Sequence, residues 1–464
     1  METENRLRVL ARNKRRRQRQ LRRRLAGGAA LIAAGLAAFV CLYGRKGRET
    51  GVEAAESLPG FLMNEFVEAI EEQKERFVLP ERFDLREERE RILVPDQGTF
   101  GTCWAFAALK AVETSVKGSA PELSADHMAL RNSFGLGLDG GGDYSISSSY
   151  LLAWQGPVSA AEDPYGDGIS PVDAEPVYHV QEVKILTPKD YNGVKKAVYE
   201  VGGVQSSFYM PQVAGAERDL YYREETNAFY YDGEYESNHD IVIVGWDDSY
   251  PKENFVKQPE QDGAFLCMNT WGESFGDRGY FYISYEDSRI MENCVVYSGV
   301  ERVDNYDRIY QTDLCGWTGQ LGYGMSQAWF ANVYEAGEAI SVAAAGFYAL
   351  TPETAYKVYL AVLDEGDSKI LMAKGTLDSA GYYTIPFERS QKVDAGSRFA
   401  VIVEIDSPGT DQPVAIEYRI DSRTAKVDIA DGEGYISFDG ASWIRTETEQ
   451  NCNICLKAYA RIEE

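Results

Sequence analysis

Cys103 opens an uninterrupted apolar run, residues 103–109, at the end of a short polar loop that begins near Gln97. Apolar side chains on every face predict a buried helix, here over residues 103–117. Because the first N–H groups of a helix are free and its N-terminus is electropositive, we expect this thiol to ionise more easily than usual. A Gln side chain one loop away can donate to an oxyanion that forms when such a thiolate attacks a carbonyl. The segment therefore predicts a buried helix that presents a nucleophile.

The chain is divided by charge. Its 464 residues carry a net charge of −26, yet the first 24 residues hold eleven Arg and Lys against two Glu. The remainder is therefore strongly acidic. We therefore do not expect the chain after residue 24 to bind nucleic acid, because phosphate contacts need a cationic surface.

The basic residues 1–25 lead directly into residues 26–44, which contain no charged side chain. An apolar segment of this length is near the lower limit for a membrane-spanning helix. Because the positive charge is denser before it, we predict a transmembrane signal anchor, with a cytoplasmic N-terminus and the later domains outside the cell membrane. A cleaved signal peptide, which would make the protein secreted, is the alternative. Residues 45–78 are interpreted as an acidic stalk with one short helix.

The seven cysteines do not form a complete disulfide framework in this interpretation. Cys41 lies in the apolar segment and Cys103 is the candidate nucleophile, which leaves an odd number. Cys452 and Cys455 are spaced like a metal or redox pair, but residues three apart on a strand face opposite sides, and no second pair or nearby His accompanies them. We predict buried cysteines there, no metal site and no cofactor.

The pattern of apolar residues changes along the chain. Within residues 79–302, helices are predicted at 103–117, at 123–130 with Ser124 as the cap, and at 147–154, whereas strands prevail after Pro188. Helices first and strands later predict an α+β domain with two halves and a cleft between them. Residues 303–464 show short alternating runs between turns, which predict an all-β sandwich.

A nucleophilic thiol that cleaves an acyl bond needs a His to exchange its proton and a group to orient that His. Of the three histidines, His127 lies in a helical pattern and His179 in a loop, so both are interpreted as structural. His239 stands at the mouth of a strongly apolar strand, where a rigid element would hold it. Asn269 follows another apolar run, and its side-chain oxygen can accept from the imidazole. Residues 269–272 alone equally fit a turn that leaves a strand.

Four motifs together resemble papain-like cysteine peptidases. They are Gln97 with Cys103-Trp104-Ala105-Phe106, Asn238-His239 before an apolar strand, Asn269-Thr270-Trp271-Gly272, and the start of the domain at residues 79–86. Their order and spacing are those of the family, over about half the chain. The basic and apolar N-terminus and the β-rich C-terminus further resemble bacterial cell-surface members with a lectin-like C-terminal domain.

The resemblance implies a role for each matching residue. It makes Cys103 the nucleophile, His239 the general base and acid, Asn269 the residue that orients His239, and Gln97 an oxyanion donor. It implies a two-lobed fold with a helical and a β-rich half. A looser match implies that Gly141 and Gly142 pair with the backbone of the substrate, with an ordinary flexible loop as the alternative. Trp271 is expected to cover the bond between Asn269 and the imidazole, and it is grouped with the two glycines as a substrate-binding residue.

Two departures from the family pattern bear on the chemistry. Phe100 stands where plant and animal enzymes carry a disulfide cysteine. Asp240 follows His239 where a small apolar residue is usual, and its charge is expected to raise the pKa of the imidazole.

The sequence therefore predicts a surface-anchored cysteine endopeptidase that acts on a peptide or protein substrate. Its C-terminal domain is expected to bind a glycan or another cell-surface ligand. One alternative is a surface glycan- or protein-binding protein with an inactive peptidase domain. The other is a cell-wall amidase or transpeptidase that uses the same Cys and His.

Overall fold

The computed structural model describes residues 78–89, 92–211, 217–366 and 368–463. The predicted basic segment 1–25, the predicted anchor 26–44 and residues 45–77 of the predicted stalk lie outside the described residues. Among the helices that the structure does describe, none combines the length and the hydropathy needed to cross a bilayer. The anchor and its orientation therefore stay predictions.

The longest described helix, Cys103–Ser115, is buried along nearly its whole length, as its apolar sequence predicts. Ser124 caps the next helix by accepting from the His127 N–H, and Asp143 and Asp190 cap two more in the same way. The three predicted helices are confirmed, although the third begins and ends earlier than predicted. The structure also contains a helix at 191–200 and a strand at 178–186 that were not predicted. The α-helices are α1 (Leu85–Glu88), α2 (Cys103–Ser115), α3 (Ala125–Arg131), α4 (Tyr144–Leu152), α5 (Tyr191–Glu200) and α6 (Thr446–Glu449), and the 3-10 helices are Arg218–Leu220, Lys252–Asn254, Leu363–Glu365 and Ser422–Thr424.

The strands of the first region, residues 79–302, include a strand that begins at His239. The strands are β1 (Arg82–Asp84), β2 (Tyr178–Leu186), β3 (Val204–Phe208), β4 (Tyr222–Arg223), β5 (Ala228–Phe229), β6 (His239–Asp247), β7 (Ala264–Met268), β8 (Tyr280–Ser284) and β9 (Cys294–Arg302).

Strand β6 lies between β3 and β7 and is buried on both faces. Val242 and Val244 face the core that contains α2, whereas Ile241 and Ile243 face the core that contains α5. This alternation follows from the two-residue period of a strand. It fixes His239 at the end of a rigid element, as the sequence predicts.

The C-terminal region is β-rich, as predicted. Side chains from its two larger sheets share one apolar core. Its strands are β10 (Arg308–Tyr310), β11 (Gly319–Leu321), β12 (Gln327–Glu335), β13 (Ile340–Ala349), β14 (Thr354–Val362), β15 (Ile370–Leu377), β16 (Ala380–Val393), β17 (Arg398–Asp406), β18 (Val414–Glu417), β19 (Gly434–Ser437), β20 (Trp443–Arg445), β21 (Asn453–Ile454) and β22 (Leu456–Ile462).

One sheet continues from the β-rich region into the first region. Its strand order is β10-β22-β13-β16-β2-β9-β3-β6-β7-β8-β5-β4, and β1 pairs with β6. The junction is the antiparallel pairing of residues 380–383 in β16 with residues 182–185 in β2. Leu79–Glu464 accordingly forms one compact unit. The predicted boundary at 302/303 stays a prediction.

Candidate active site

Cys103 is the first residue of α2, and its side chain is partly exposed. The cap residue Thr102 makes no side-chain bond to the first turn; its hydroxyl instead pairs with the hydroxyl of Tyr165. Backbone N–H groups of Asp240 and Trp104 interact with the sulfur and favour its thiolate. The sequence prediction that this thiol stands at a helix start is confirmed.

The predicted ease of ionisation is wrong for this geometry. Burial raises the pKa of the Cys103 thiol to about 12, and the nearby carboxylate of Asp240 raises it further, against the backbone donors. The effect of burial on the thiol pKa is therefore larger than the opposite effect of the helix N-terminus. A thiolate at this position needs a positive partner that forms at the same time.

The imidazole of His239 contacts Asn269. Its Nε2 lies 2.8 Å from Oδ1 of Asn269, and the backbone N–H of Thr270 donates to the same oxygen at 2.7 Å. Because a backbone N–H needs an acceptor, this second bond fixes the orientation of the amide, and Nε2 must carry the hydrogen that it shares with Oδ1. The other ring nitrogen, Nδ1, is then the atom that can take up a proton.

The charge state of His239 is governed by burial. Burial lowers the pKa of the imidazole to about 4, and the hydrogen bond to Asn269 opposes this change. The expectation that Asp240 raises this pKa is wrong. The carboxylate of Asp240 accepts from Gln205 and Ser207, each at 2.7 Å, and the ionisation that it opposes is that of Cys103.

Trp271 covers the imidazole. The two ring centroids are 4.8 Å apart, and Phe208 approaches His239 edge-on at 5.7 Å. Phe275 packs perpendicular to Trp271 and holds it in place. Asn269 itself is fully buried. The pair of His239 and Asn269 is thus enclosed by aromatic rings, which strengthen a hydrogen bond by excluding water.

Gln97 joins the nucleophile loop to the loop after Asn269. Its backbone N–H donates to the carbonyl of Thr270 at 2.8 Å, and its side-chain oxygen accepts from the Thr270 hydroxyl. Its side-chain nitrogen donates to the carbonyl of Phe100 at 2.7 Å. An amide nitrogen carries two hydrogens, so one remains for a ligand. Phe100 therefore contributes its backbone carbonyl, which orients the Gln97 amide.

The glycine loop lies against the nucleophile loop. A side chain at Gly142 would place its Cβ 2.5 Å from Cε2 of Trp104, and one at Gly101 would lie 3.2 Å from the backbone nitrogen of Gly141. Gly141 has a φ of +65°. These close approaches and this conformation require glycine. That the loop pairs with substrate stays a prediction.

Three residues of the site escaped the sequence analysis: Gln205, Ser207 and Tyr297. The first two are polar residues on one face of the short strand β3, which also contains Ser206 between them. The hydroxyl of Tyr297 donates to Oε1 of Gln205 at 2.7 Å. Three consecutive polar residues between Val204 and Phe208 were the available signal, because buried polar groups need partners.

The other two histidines pair with residues outside this site, and His179 lies in β2, so its predicted place in a loop is wrong. Nδ1 of His127 pairs with the Tyr150 hydroxyl at 2.7 Å. The ring of His179 stacks on Trp154 at 3.6 Å, and its Nδ1 lies 2.7 Å from Oδ1 of Asn305. In the part of the chain that the structure describes, no group of His, Cys, Asp and Glu side chains is arranged to hold a metal. The cysteines of this part are free, and all but Cys103 are buried.

Two family models match this chain, one in the first region and one in the β-rich C-terminal region. Residues 79–301 match the model of the papain family cysteine proteases, and residues 309–460 match that of a lectin-like domain. Residues 79–301 are a papain-family domain. The chain thus contains a papain-like cysteine peptidase domain followed by a lectin-like domain.

Relatives of this papain-family domain include two animal enzymes. A cathepsin B-like cysteine proteinase 3 of Caenorhabditis elegans is 24% identical over 276 residues, which cover 51% of this chain and 70% of that protein. Cathepsin S of Bos taurus is 26% identical over 245 residues, which cover 50% of this chain and 66% of that protein. The likeness is therefore confined to about half of this chain.

Two solved structures resemble the chain over both regions. One is the clostridial cysteine protease Cwp84 after propeptide cleavage, with a TM-score of 0.73 and 24% identity over 82% of this chain and 99% of that one. The other comprises the cysteine protease and lectin-like domains of Cwp84, a surface layer associated protein of Clostridium difficile. It has a TM-score of 0.71 and 24% identity over 83% of this chain and 89% of that one. The likeness shows a shared fold.

Proposed function

We propose that this papain-like peptidase is an endopeptidase in which Cys103, His239 and Asn269 carry the reaction and Gln97 stabilises the oxyanion. The observation that carries this proposal is the hydrogen bond between Nε2 of His239 and Asn269. It leaves Nδ1 to accept the proton of the thiol. Trp271 and Phe208 enclose the imidazole, so the bond persists through the reaction.

The first step joins the sulfur of Cys103 to the carbonyl carbon of the substrate. The thiol proton passes to Nδ1 of His239, and the carbonyl electrons move to oxygen, where the free hydrogen of the Gln97 amide and the Cys103 N–H donate. Because burial disfavours each charge alone, thiolate and imidazolium form together as a pair. Asn269 then accepts a hydrogen bond from the charged ring, which strengthens that bond.

The second step releases the amine and then the acid. The imidazolium gives its proton to the leaving nitrogen as the C–N bond breaks, which leaves an acyl group on the sulfur of Cys103. His239 next takes a proton from water while the water oxygen attacks the acyl carbon. The C–S bond then breaks, which releases the carboxylic acid, and the proton held by His239 passes to the sulfur and restores the thiol. The enzyme ends in its initial state.

A digest of a peptide library tests this proposal. Wild-type protein is expected to cleave internal peptide bonds, and Cys103→Ala is expected to leave the library intact while retaining its far-UV circular dichroism. Cys315→Ala is the control, because that cysteine is buried in the β-rich region. Cleavage by Cys103→Ala at the wild-type rate would contradict the mechanism. Release of cell-wall fragments without peptide cleavage would favour the amidase or transpeptidase.

We infer that the peptidase acts outside the cytoplasm. The support is the order of the basic residues 1–25 and the uncharged residues 26–44 in the sequence. Treatment of intact cells with an external protease tests this. Degradation of the catalytic domain on intact cells is expected, whereas protection until lysis would contradict the inference.

For the lectin-like domain we propose a neutral glycan as ligand. A shallow groove of about 610 Å³ is lined by the rings of Trp317 and Tyr418 and by the amides of Gln320, Gln412 and Gln450. Within the described residues, its lining contains no charged side chain. Aromatic faces suit the apolar faces of sugar rings, and amides pair with their hydroxyls.

A glycan array with matched variants tests this ligand. Loss of both amides in the double variant Gln412→Ala and Gln450→Ala is expected to abolish binding. Gln391→Ala, a change at a partly exposed residue that does not line the groove, is expected to preserve it. Equal glycan binding by both proteins would refute the groove as the site.

A further inference from the structure

Asp240 is a buried carboxylate directly after His239. Oδ1 accepts from the Ser207 hydroxyl and Oδ2 from the Gln205 amide, each at 2.7 Å. Both donors lie on β3, and Ser207 is the residue opposite Asp240 in the pairing of β3 with β6. A buried charge keeps its ionised form only with such donors. The carboxylate is thus built into the sheet and does not face solvent.

Gln205 connects this carboxylate to three further elements. Its Nε2 also approaches the carbonyl of Trp104 on α2 at 3.3 Å, and its Oε1 accepts from Tyr297 on β9 at 2.7 Å. The Tyr297 hydroxyl lies 3.0 Å from Oγ of Ser147 on α4. One amide therefore links the helix that carries Cys103 to the strand that carries His239.

The groups around Asp240 come from each neighbouring element. They are Cys103 on α2, Gln205 and Ser207 on β3, Tyr297 on β9, and Asp143, whose negative charge precedes α4; His239 precedes it on the same strand. Burial raises the pKa of Asp240 to about 6, with Ser207 and Gln205 opposing and Asp143 adding to the rise. Its charge in turn opposes ionisation of Cys103, whereas its backbone N–H favours the thiolate.

We propose that Asp240, held by Gln205 and Ser207, is a positioning residue that fixes Cys103 against His239 and sets the pH range in which the thiol reacts. This rests on the proposed role of Cys103 as the nucleophile. Asp240 is neutral in acid and charged above neutral pH. Its effect on the reactivity of the Cys103 sulfur therefore changes between pH 5 and pH 8. A purely structural Asp240 would change reactivity by the same factor at every pH.

The test is the rate of alkylation of Cys103 by iodoacetamide between pH 5 and pH 8, with the modified residue identified by mass. Asp240→Asn removes the charge, and the Ser207 hydroxyl can turn to accept from the new amide. At pH 5 both proteins are expected to react alike. At pH 7.5 the variant is expected to react up to about tenfold faster, the effect of one pKa unit on the thiolate fraction.

Two further variants complete the test. Ser207→Ala removes one donor but keeps the carboxylate, and the change in rate near pH 6 is expected to move to higher pH. Asp247→Asn, at the far end of β6, is expected to leave the wild-type profile unchanged. A constant ratio of Asp240→Asn to wild-type rates across the range, with Ser207→Ala unshifted, would overturn this inference alone. Failure to alkylate Cys103 in the wild type would overturn the proposed function as well.

Discussion

Asn269 holds the imidazole of His239 through a 2.8 Å contact between its Oδ1 and Nε2, and the Thr270 N–H fixes the orientation of the amide. The contact is buried and lies beneath Trp271. It places the hydrogen of the neutral ring on Nε2, and in the proposed mechanism Nδ1 takes up the proton of the thiol.

Removal of the Asn269 side chain should reduce catalysis without abolishing it. A hydrogen bond to a charged group contributes about 1.5–3 kcal/mol, so kcat/KM of Asn269→Ala should fall roughly tenfold to hundredfold. Asn305→Ala is the matched control, because Asn305 makes the same contact with His179 outside the site. An equal loss in both variants would show that the effect is one of stability.

Burial of neutral His239 should make stability depend on pH. Its folded pKa of about 4 lies below the unfolded value near 6.5, so the contribution is fully present above pH 6.5 and is lost as pH falls towards 4. Wild type should lose up to about 3 kcal/mol of unfolding free energy across this window relative to His239→Gln. Urea denaturation of both proteins at pH 7 and pH 4 measures the difference. Parallel losses would refute it.

Gly142→Ala should disturb the nucleophile loop. The added Cβ would lie 2.5 Å from the indole of Trp104, and such overpacking costs about 1–3 kcal/mol. We expect a lower Tm and slower peptide cleavage. Gly137→Ala, in the same loop but with open space around it, should behave as wild type. Wild-type activity and Tm in Gly142→Ala would contradict the packing described here.

The continuous sheet should make the two regions unfold together. Gly381 has a φ of +142°, and a Cβ there would meet the carbonyl of Val183 at 2.0 Å. Gly381→Ala should therefore weaken the junction of β16 and β2 and lower the Tm of one shared transition. Gly337→Ala, where nothing lies nearby, is the control. Two calorimetric transitions, of which only one moves, would instead support independent domains divided near residue 302.

Much of this arrangement follows from local sequence. An apolar run on all faces favours a buried helix, and the structure places the start of α2 at Cys103, as predicted. Ser124 was recognisable as a cap, and His239 as the first residue of a buried strand. Asn269 was not identifiable alone, since its motif equally fits a turn; the resemblance to papain-like peptidases assigned it.

Long-range contacts set what the sequence could not predict. The direction of the Cys103 pKa shift depends on burial and on Asp240, which only the folded sheet brings near the sulfur. Asp240 was expected to act on its neighbour His239, yet Gln205 and Ser207 hold its carboxylate elsewhere. The pairing of β16 with β2 joins residues about 200 positions apart, and no local pattern encodes such a register.

The most direct test of the central claim is stoichiometric labelling by an epoxide inhibitor of thiol peptidases, followed by intact-mass and peptide mapping. The other described cysteines are buried and serve as internal controls. We expect one inhibitor per chain on Cys103, a proportional loss of peptide cleavage, and much slower labelling of His239→Ala. Full peptidase activity in protein that carries one inhibitor on Cys103, or labelling spread over other cysteines, would contradict the account.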